Sequence, residues 1–467
     1  MTSPNSATGA QGSDASGIEQ FGYKQELKRT LKFSDLIVYG MIFMVPIAPF
    51  AIFGGVFQAS GGMIALAYII AMVGMMFSAN SYSQMAQAFP MSGSVYTYAA
   101  RGIAKPVGFI AGWMILLDYI LIPALLYLAA GMAMNGIIPS IPVWVWLVAF
   151  IGLNTVINYL GISLTAKVNK IMLVGELIAL AIFLVVGISA VAAGKGAGFS
   201  FDAFFNPATF SWSLVFGAAS IAVLSFLGFD AISTLAEENA GSAKSLGRSM
   251  IGALLVVGTL FIAQTWVASM LVEDPASLIK NGDPTGVAFY QASETAGGHW
   301  MFILTAVSTA IAWGFANALV AQAATARLIF AMARDGQLPK FLSKVDSKRQ
   351  VPWNATLLVV IVSLALGIYL TLLPDGLVAI SALVNFGAIV GFMLLNASVI
   401  WWFFIKQKSG RLFVHLIYPA LGILVLAFVL WNARAAAQIL GIGWLVVGII
   451  VAVILRSRGK DLSVVTE

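Results

Sequence analysis

The chain has 467 residues, of which 60% are hydrophobic and 9% charged, and a net charge of +6. That balance excludes a soluble globular domain, and apolar runs near the roughly 20 residues that cross hydrocarbon recur along its whole length. Cysteine is absent, which excludes disulfides, thiolate metal sites and cysteine nucleophiles.

Residues 1–22 are polar and rich in Ser, Gly and Ala, without the short apolar core of a secretory signal. A disordered cytoplasmic tail is expected over 1–27, a membrane domain over 28–455 and a second cytoplasmic tail over 456–467. About twelve apolar segments are predicted: 34–58, 62–88, 106–136, 143–160, 166–194, 211–236, 248–272, 300–332, 354–373, 376–403, 412–432 and 436–455.

The first segment carries Val45-Pro46-Ile47-Ala48-Pro49 and then Gly54-Gly55, and the sixth carries Ser225-Phe226-Leu227-Gly228-Phe229-Asp230. Backbone opened inside a bilayer survives only where its polar groups are satisfied or line a cavity. Breaks at matching places in two halves of a membrane protein point to a substrate site. The alternative is that Pro and Gly merely kink these helices. Segments one to five (repeat one, 34–194) and six to ten (repeat two, 211–403) each open on such a break. An odd number of spans per repeat inverts the second, giving a five-plus-five inverted repeat with trailing helices over 412–455.

Between segments two and three, Phe89–Tyr98 is too polar to span and reads as an interfacial or re-entrant helix. Two carboxylates fall well inside spans: Asp118 in the third and Glu176 in the fifth. A carboxylate at the bilayer centre costs about 2.5–3.5 kcal/mol on insertion scales, so such residues usually face a cavity or an ion path. No cation lies mid-span to neutralise either one. Each is therefore a neutral acid hydrogen-bonded in the bundle, a proton carrier, or a partner for an arriving ammonium. Asp230 directly follows the sixth-segment break and is read as an acceptor for freed backbone N–H groups. Glu237 and Glu238 end that helix as a gate contact or a solvated face. Phe226 and Phe229 flank the opened backbone, where they could pack on a substrate or attract a cation.

The loop over 273–299 is long enough for an external cap, and the loop over 333–353 is highly charged. With the N-terminus placed in the cytoplasm, every Lys and Arg except Lys195, Lys280 and Arg434 falls on the inner side. This is the bias of the positive-inside rule, so both termini are expected in the cytoplasm. The basic balance is topological and does not call for nucleic acid. His299 and His415 sit in no ligand cluster, no filter-like repeat suggests a channel, and no nucleophile–base or metal constellation suggests an enzyme.

At these residues the chain resembles the amino acid–polyamine–organocation (APC) transporter superfamily. The resemblance is carried by Arg327-Leu-Ile-Phe-Ala-Met-Ala-Arg334-Asp335-Gly336-Gln-Leu-Pro339 with Pro352, by Ser225–Asp230 followed by Glu237-Glu238, and by Pro90–Tyr98 before Gly112-Trp113. It covers roughly 28–455. It implies a LeuT-like (APC) fold, all-α with helices 1 and 6 broken, and alternating-access transport in the plasma membrane. Leu116-Leu-Asp118-Tyr119, Ser225–Ala231 and Leu383-Val-Asn385-Phe-Gly-Ala are most similar to bacterial putrescine importers.

Amino acid permeases of this group typically place a Gly-Ser-Gly run at the first break to hold a substrate carboxylate. Here Pro46 and Pro49 remove two donors, and Ile47 and Ala48 replace glycines. An amine without a carboxylate fits better, with Asp118 or Glu176 as counter-charge. Putrescine importers carry an acid at the position matching Ala51, and its loss here weakens the diamine assignment in favour of a monoamine, amino alcohol or other small organic cation. The expected function is secondary-active, proton-coupled import of a small cationic amine, a putrescine-like polyamine or a monoamine. Glu176 aligns approximately with a fifth-helix lysine that some proton-coupled members use in place of sodium. An acid there could also bind a proton, but its opposite charge prevents carrying over the lysine mechanism itself.

The expected substrate contacts are therefore Val45, Pro46, Ile47, Ala48, Pro49, Asp118, Tyr119, Ser225, Phe226, Gly228 and Phe229, with Glu176 or Asp118 carrying a coupling proton rather than sodium. No cofactor or metal is called for. The implied partners are a small amine or amino acid and the lipid bilayer, and a monomer and a homodimer are equally compatible with the sequence. An amino acid permease or exchanger is the alternative function.

Overall fold

The computed structural model describes residues 31–89, 95–160, 163–235, 239–334, 338–346 and 351–457. The two tails, Pro90–Ser94, Glu237, Glu238 and Asp335–Gln337 lie outside the described residues. Among the described residues, ten helices are long and apolar enough to cross a membrane, and a bent pair makes an eleventh. In hydrocarbon every backbone N–H and C=O must be satisfied within the segment, which is why these runs are helical.

Each of the twelve sequence segments has its counterpart. Span 1 is Phe33–Met44 joined to Pro49–Ala59, and spans 2 to 5 are Ile64–Ala88, Lys105–Ile137, Val143–Leu160 and Ser163–Ala192. Span 6 is the short apolar helix Trp212–Ala222 with two 3₁₀ turns, Val223–Phe226 and Phe229–Leu235. Spans 7 to 12 are Ala243–Leu271, His299–Arg334, Trp353–Leu370, Gly376–Lys406, Phe413–Trp431 and Ala435–Ser457, with π turns inside span 8 (Ala312–Asn317) and at the facing ends of spans 10 and 11.

The two breaks have separate local causes. Proline disfavours helical backbone in the residue before it, and Val45, just ahead of Pro46, adopts φ 52°. A positive φ is strained for a β-branched side chain. Pro49 then starts the second half at the helix position that tolerates it best, and the halves meet at 62°. In span 6 the helix tightens into 3₁₀ geometry and turns at Gly228, with φ 108°.

Each break is held by polar side chains of other spans. Gln264 of span 7 donates its side-chain amide to the Pro46 carbonyl at 2.9 Å. Tyr68 of span 2 pairs with the Ser225 hydroxyl at 3.1 Å, and Asn385 of span 10 donates to the Ser220 carbonyl at 2.6 Å. These polar side chains satisfy carbonyls and hydroxyls that would otherwise cost roughly 1–3 kcal/mol each when buried.

The loop over 273–299 contains two short helices, Pro275–Asn281 and Ala288–Gly297. Asp274 caps the first through the Ser277 N–H at 2.9 Å. Asp283 accepts the N–H groups of Val287 and Ala288 at 3.0 and 3.1 Å, ahead of the second. Phe289 stacks on Phe50 at 3.9 Å between ring centres, fastening this cap to the second half of span 1. In the stretch between spans 2 and 3, Val95–Gly102 forms a short helix. Span 12 is mostly exposed, as a lipid-facing helix would be. It is anchored by a reciprocal pair in which Trp113 and Trp444 each donate their indole N–H to the other's carbonyl at 2.9 Å.

Candidate functional site

Where the breaks of spans 1 and 6 approach each other, they form a cavity together with spans 3 and 8. Span 1 contributes Phe43, Met44, Val45 and Ala48; span 3 contributes Asp118, Tyr119, Ile122, Leu125 and Leu126. Leu224, Leu227, Gly228, Asp230 and Ala231 come from span 6, and Trp313, Asn317, Ala321, Ala324 and Thr325 from span 8. A largely apolar wall with a few polar groups is the usual make-up of a small-molecule site.

The polar groups are unevenly satisfied. Asp118 is buried and its Oδ1 has no hydrogen-bond partner among the described residues. The Gly228 N–H donates to Asp230 Oδ1 at 3.3 Å, so this carboxylate caps the sixth break from within, as its position in the sequence suggests. Yet Asp230 also lines the cavity, which places a second acid beside Asp118. No Lys, Arg or His belongs to the described lining. Thr325 donates to the Tyr119 carbonyl at 2.7 Å and ties span 8 to span 3 at the wall.

The sequence-predicted contacts divide into two groups. Val45, Ala48, Asp118, Tyr119 and Gly228 line the cavity. Pro46, Ile47, Pro49, Ser225, Phe226 and Phe229 are buried but absent from its wall. The reason is the direction in which each break turns. Phe226 packs on Tyr68 and Phe261, Phe229 on Tyr82 and Phe392, and the Ser225 hydroxyl is engaged by Tyr68. These side chains therefore fasten span 6 to spans 2, 7 and 10, and the opposite side of the break meets the cavity. Glu176 is buried in span 5 with Oε2 unpartnered among the described residues, and it is outside the cavity wall. Ala51 lines a smaller neighbouring cavity with Asp283 and Asp375.

Span 8 supplies wall residues that sequence reasoning missed. Gly314 and Asn317 interrupt an otherwise apolar run, and that was the available signal. The π turn that brings Trp313 and Asn317 onto the wall has no periodicity that a hydropathy reading detects.

The breaks also limit what a carboxylate could find. Pro46 and Pro49 have no N–H, while Val45 and Ala48 spend theirs on Met41 and Val45 carbonyls at 3.0 and 2.8 Å. At most the Ile47 N–H is left, and Ile47 is not on the wall. In span 6 the N–H groups of Leu227 and Ala231 are bonded to Leu224 and Gly228 carbonyls. The opened backbone of the two breaks thus offers the cavity few free N–H donors, and the donors on its wall are side chains of span 8, Trp313 and Asn317.

The sequence pattern of the amino acid permease family matches residues 33–457. The low-affinity putrescine importer of Escherichia coli (strain K12) is 31% identical over 435 residues, 91% of this chain and 93% of that protein. A branched-chain amino acid permease of Bacillus subtilis is 28% identical over 479 residues, covering 94% and 96% of the two chains. The methylthioribose transporter of the same organism is 26% identical over 401 residues, covering 80% and 81%.

Proposed function

Given that the chain belongs to the amino acid permease family of the APC superfamily, and is thus a transporter and not an enzyme, we propose that it imports a small organic amine by alternating access around this cavity. The observation that carries the reading is the buried Asp118 carboxylate, its Oδ1 unpartnered among the described residues, beside Asp230 in a described lining that holds no cation and meets few free backbone N–H groups from the two breaks. A desolvated carboxylate with unmet acceptor capacity is costly until a cation arrives, so an ammonium group gains most where a carboxylate would be repelled. The similarity to a putrescine importer supports the same class. Two acids on one wall also restore the diamine option that Ala51 weakens.

In this reading the substrate ammonium meets Asp118 and Asp230, its carbon chain lies along Ile122, Leu125 and Leu227, and Tyr119 borders the polar end. Glu176, buried off the wall with an unpartnered oxygen, carries the coupling proton. The distribution of Lys and Arg supports a plasma-membrane orientation with both termini in the cytoplasm. The test is uptake of putrescine, monoamines and amino acids into proteoliposomes under imposed proton and sodium gradients. Saturable amine uptake stimulated by an inward proton gradient is expected; uptake of amino acids alone would overturn the reading.

A second reading, import or exchange of an apolar amino acid, draws on the leucine-rich wall and on the branched-chain permease relative. Competition between amines and their parent amino acids separates the two.

A further inference from the structure

Span 4 contributes nothing to the cavity wall, yet it grips the part of span 8 that does. Asn154 and Asn158, four residues apart and hence on one helix face, are both buried. Asn154 donates its side-chain amide to the Gly314 carbonyl at 2.9 Å and to the Tyr127 hydroxyl at 3.2 Å. Asn158 donates to the Leu319 carbonyl at 3.1 Å and to Gln322 Oε1 at 2.7 Å, and Gln322 returns a bond to the Thr155 hydroxyl at 3.0 Å.

Gly314 lies within the π turn Ala312–Asn317, and Leu319 lies just beyond it. A π turn carries one residue more than the α-helix around it and changes the register of the side chains that follow. Asn154 supplies an outside donor to the Gly314 carbonyl within the turn, and Asn158 supplies one to the Leu319 carbonyl just past its end. Gly314 has no room for a side chain, since a Cβ there would collide with Ala130 of span 3 and come within 3.2 Å of the Phe150 ring of span 4. On the wall side of the same turn stand Trp313, whose Nε1–H has no partner among the described residues, and Asn317.

We propose that Asn154, supported by Asn158, is a positioning residue that holds this π turn in register and so decides which substrates the cavity admits. The proposal rests on the cavity being the substrate site, but its first readout needs no substrate. Reversion of the turn to α geometry would rotate one flank against the other by about 100°, turning Trp313 or Asn317 off the wall.

The chain's lack of cysteine permits a direct probe. With Asn317→Cys as the single thiol, the rate of alkylation by N-ethylmaleimide should change about fivefold or more when Asn154→Ala is added, the change expected when one hydrogen bond of about 1 kcal/mol is lost. In the otherwise unaltered chain, Asn154→Ala should shift the ratio of KM values for a short and a long amine by a similar factor, with Vmax little changed. Asn158→Ala serves as the second variant. Unchanged alkylation and an unchanged KM ratio in correctly inserted protein would overturn the proposal. So would failure of both variants to accumulate in the membrane, which would mark the ladder as structural only. If no amine is transported but alkylation responds as expected, the amine reading fails and the positioning role stands.

Discussion

Gly228 and Phe43 bring the two broken helices into contact: a Cβ built on Gly228 would lie 2.8 Å from the Phe43 Cβ and 3.1 Å from the Phe43 carbonyl oxygen. The same glycine has φ 108°, a conformation that residues with a side chain rarely adopt. Both requirements fall on the position where the cavity begins. Replacement by alanine is therefore expected to combine backbone strain with a collision, at a cost of about 1–3 kcal/mol. Gly228→Ala should lower the thermal unfolding temperature in detergent and reduce uptake, and wild-type behaviour in both would show that the two breaks can separate without loss.

The clamp on the first break gives a second expectation. Removing Gln264 leaves the buried Pro46 carbonyl without its side-chain donor, and orphaning such a group costs about 1–3 kcal/mol. Gln264→Leu should destabilise the protein and raise hydrogen exchange around residues 47–51. Gln264→Met should behave alike, because a thioether of similar length has no hydrogen to donate.

The two membrane acids should separate by function. Asp118→Asn keeps the shape but removes the charge that meets an ammonium, and KM for amines should rise about tenfold or more, the scale of a charge-assisted hydrogen bond. Glu176→Gln should leave amine exchange between equal pools intact while abolishing stimulation by an inward proton gradient. Radiolabelled counterflow and gradient-driven uptake, measured on the same vesicles, report each step.

The cap carries a pH dependence. Burial pushes the Asp283 carboxyl above the ordinary carboxylate range, and the N–H groups of Ala288, Val287 and Gly286 offset this only in part. The folded cap thus binds the proton more tightly than the unfolded chain. Its contribution to stability is full below the ordinary carboxylate range and declines as pH rises through the elevated value. Proteolytic nicking between 275 and 297 should increase across that window, and Asp283→Asn should flatten the dependence.

Hydropathy was enough to place all twelve segments, because hydrocarbon forces each run to satisfy its own backbone. Pro46, Pro49 and Gly228 announced the breaks for a local reason: ring closure and the missing Cβ act on the residue itself and its neighbour. Asp118 stood out for the same kind of reason, since an acid in an apolar run is expensive wherever the run is placed. Those features depend on a few adjacent residues, so one strand of text contains them.

What faced what was settled only by packing. Ser225, Phe226 and Phe229 stand beside Gly228 in the chain, yet Tyr68, Tyr82, Phe261 and Phe392 draw them to the far side of the break. Asp230 reaches the wall because the turn at Gly228 swings it there. Gln264, Asn385 and Asn154 act on carbonyls 218, 165 and 160 positions away. No local pattern records such pairings, since each depends on where another helix brings its backbone.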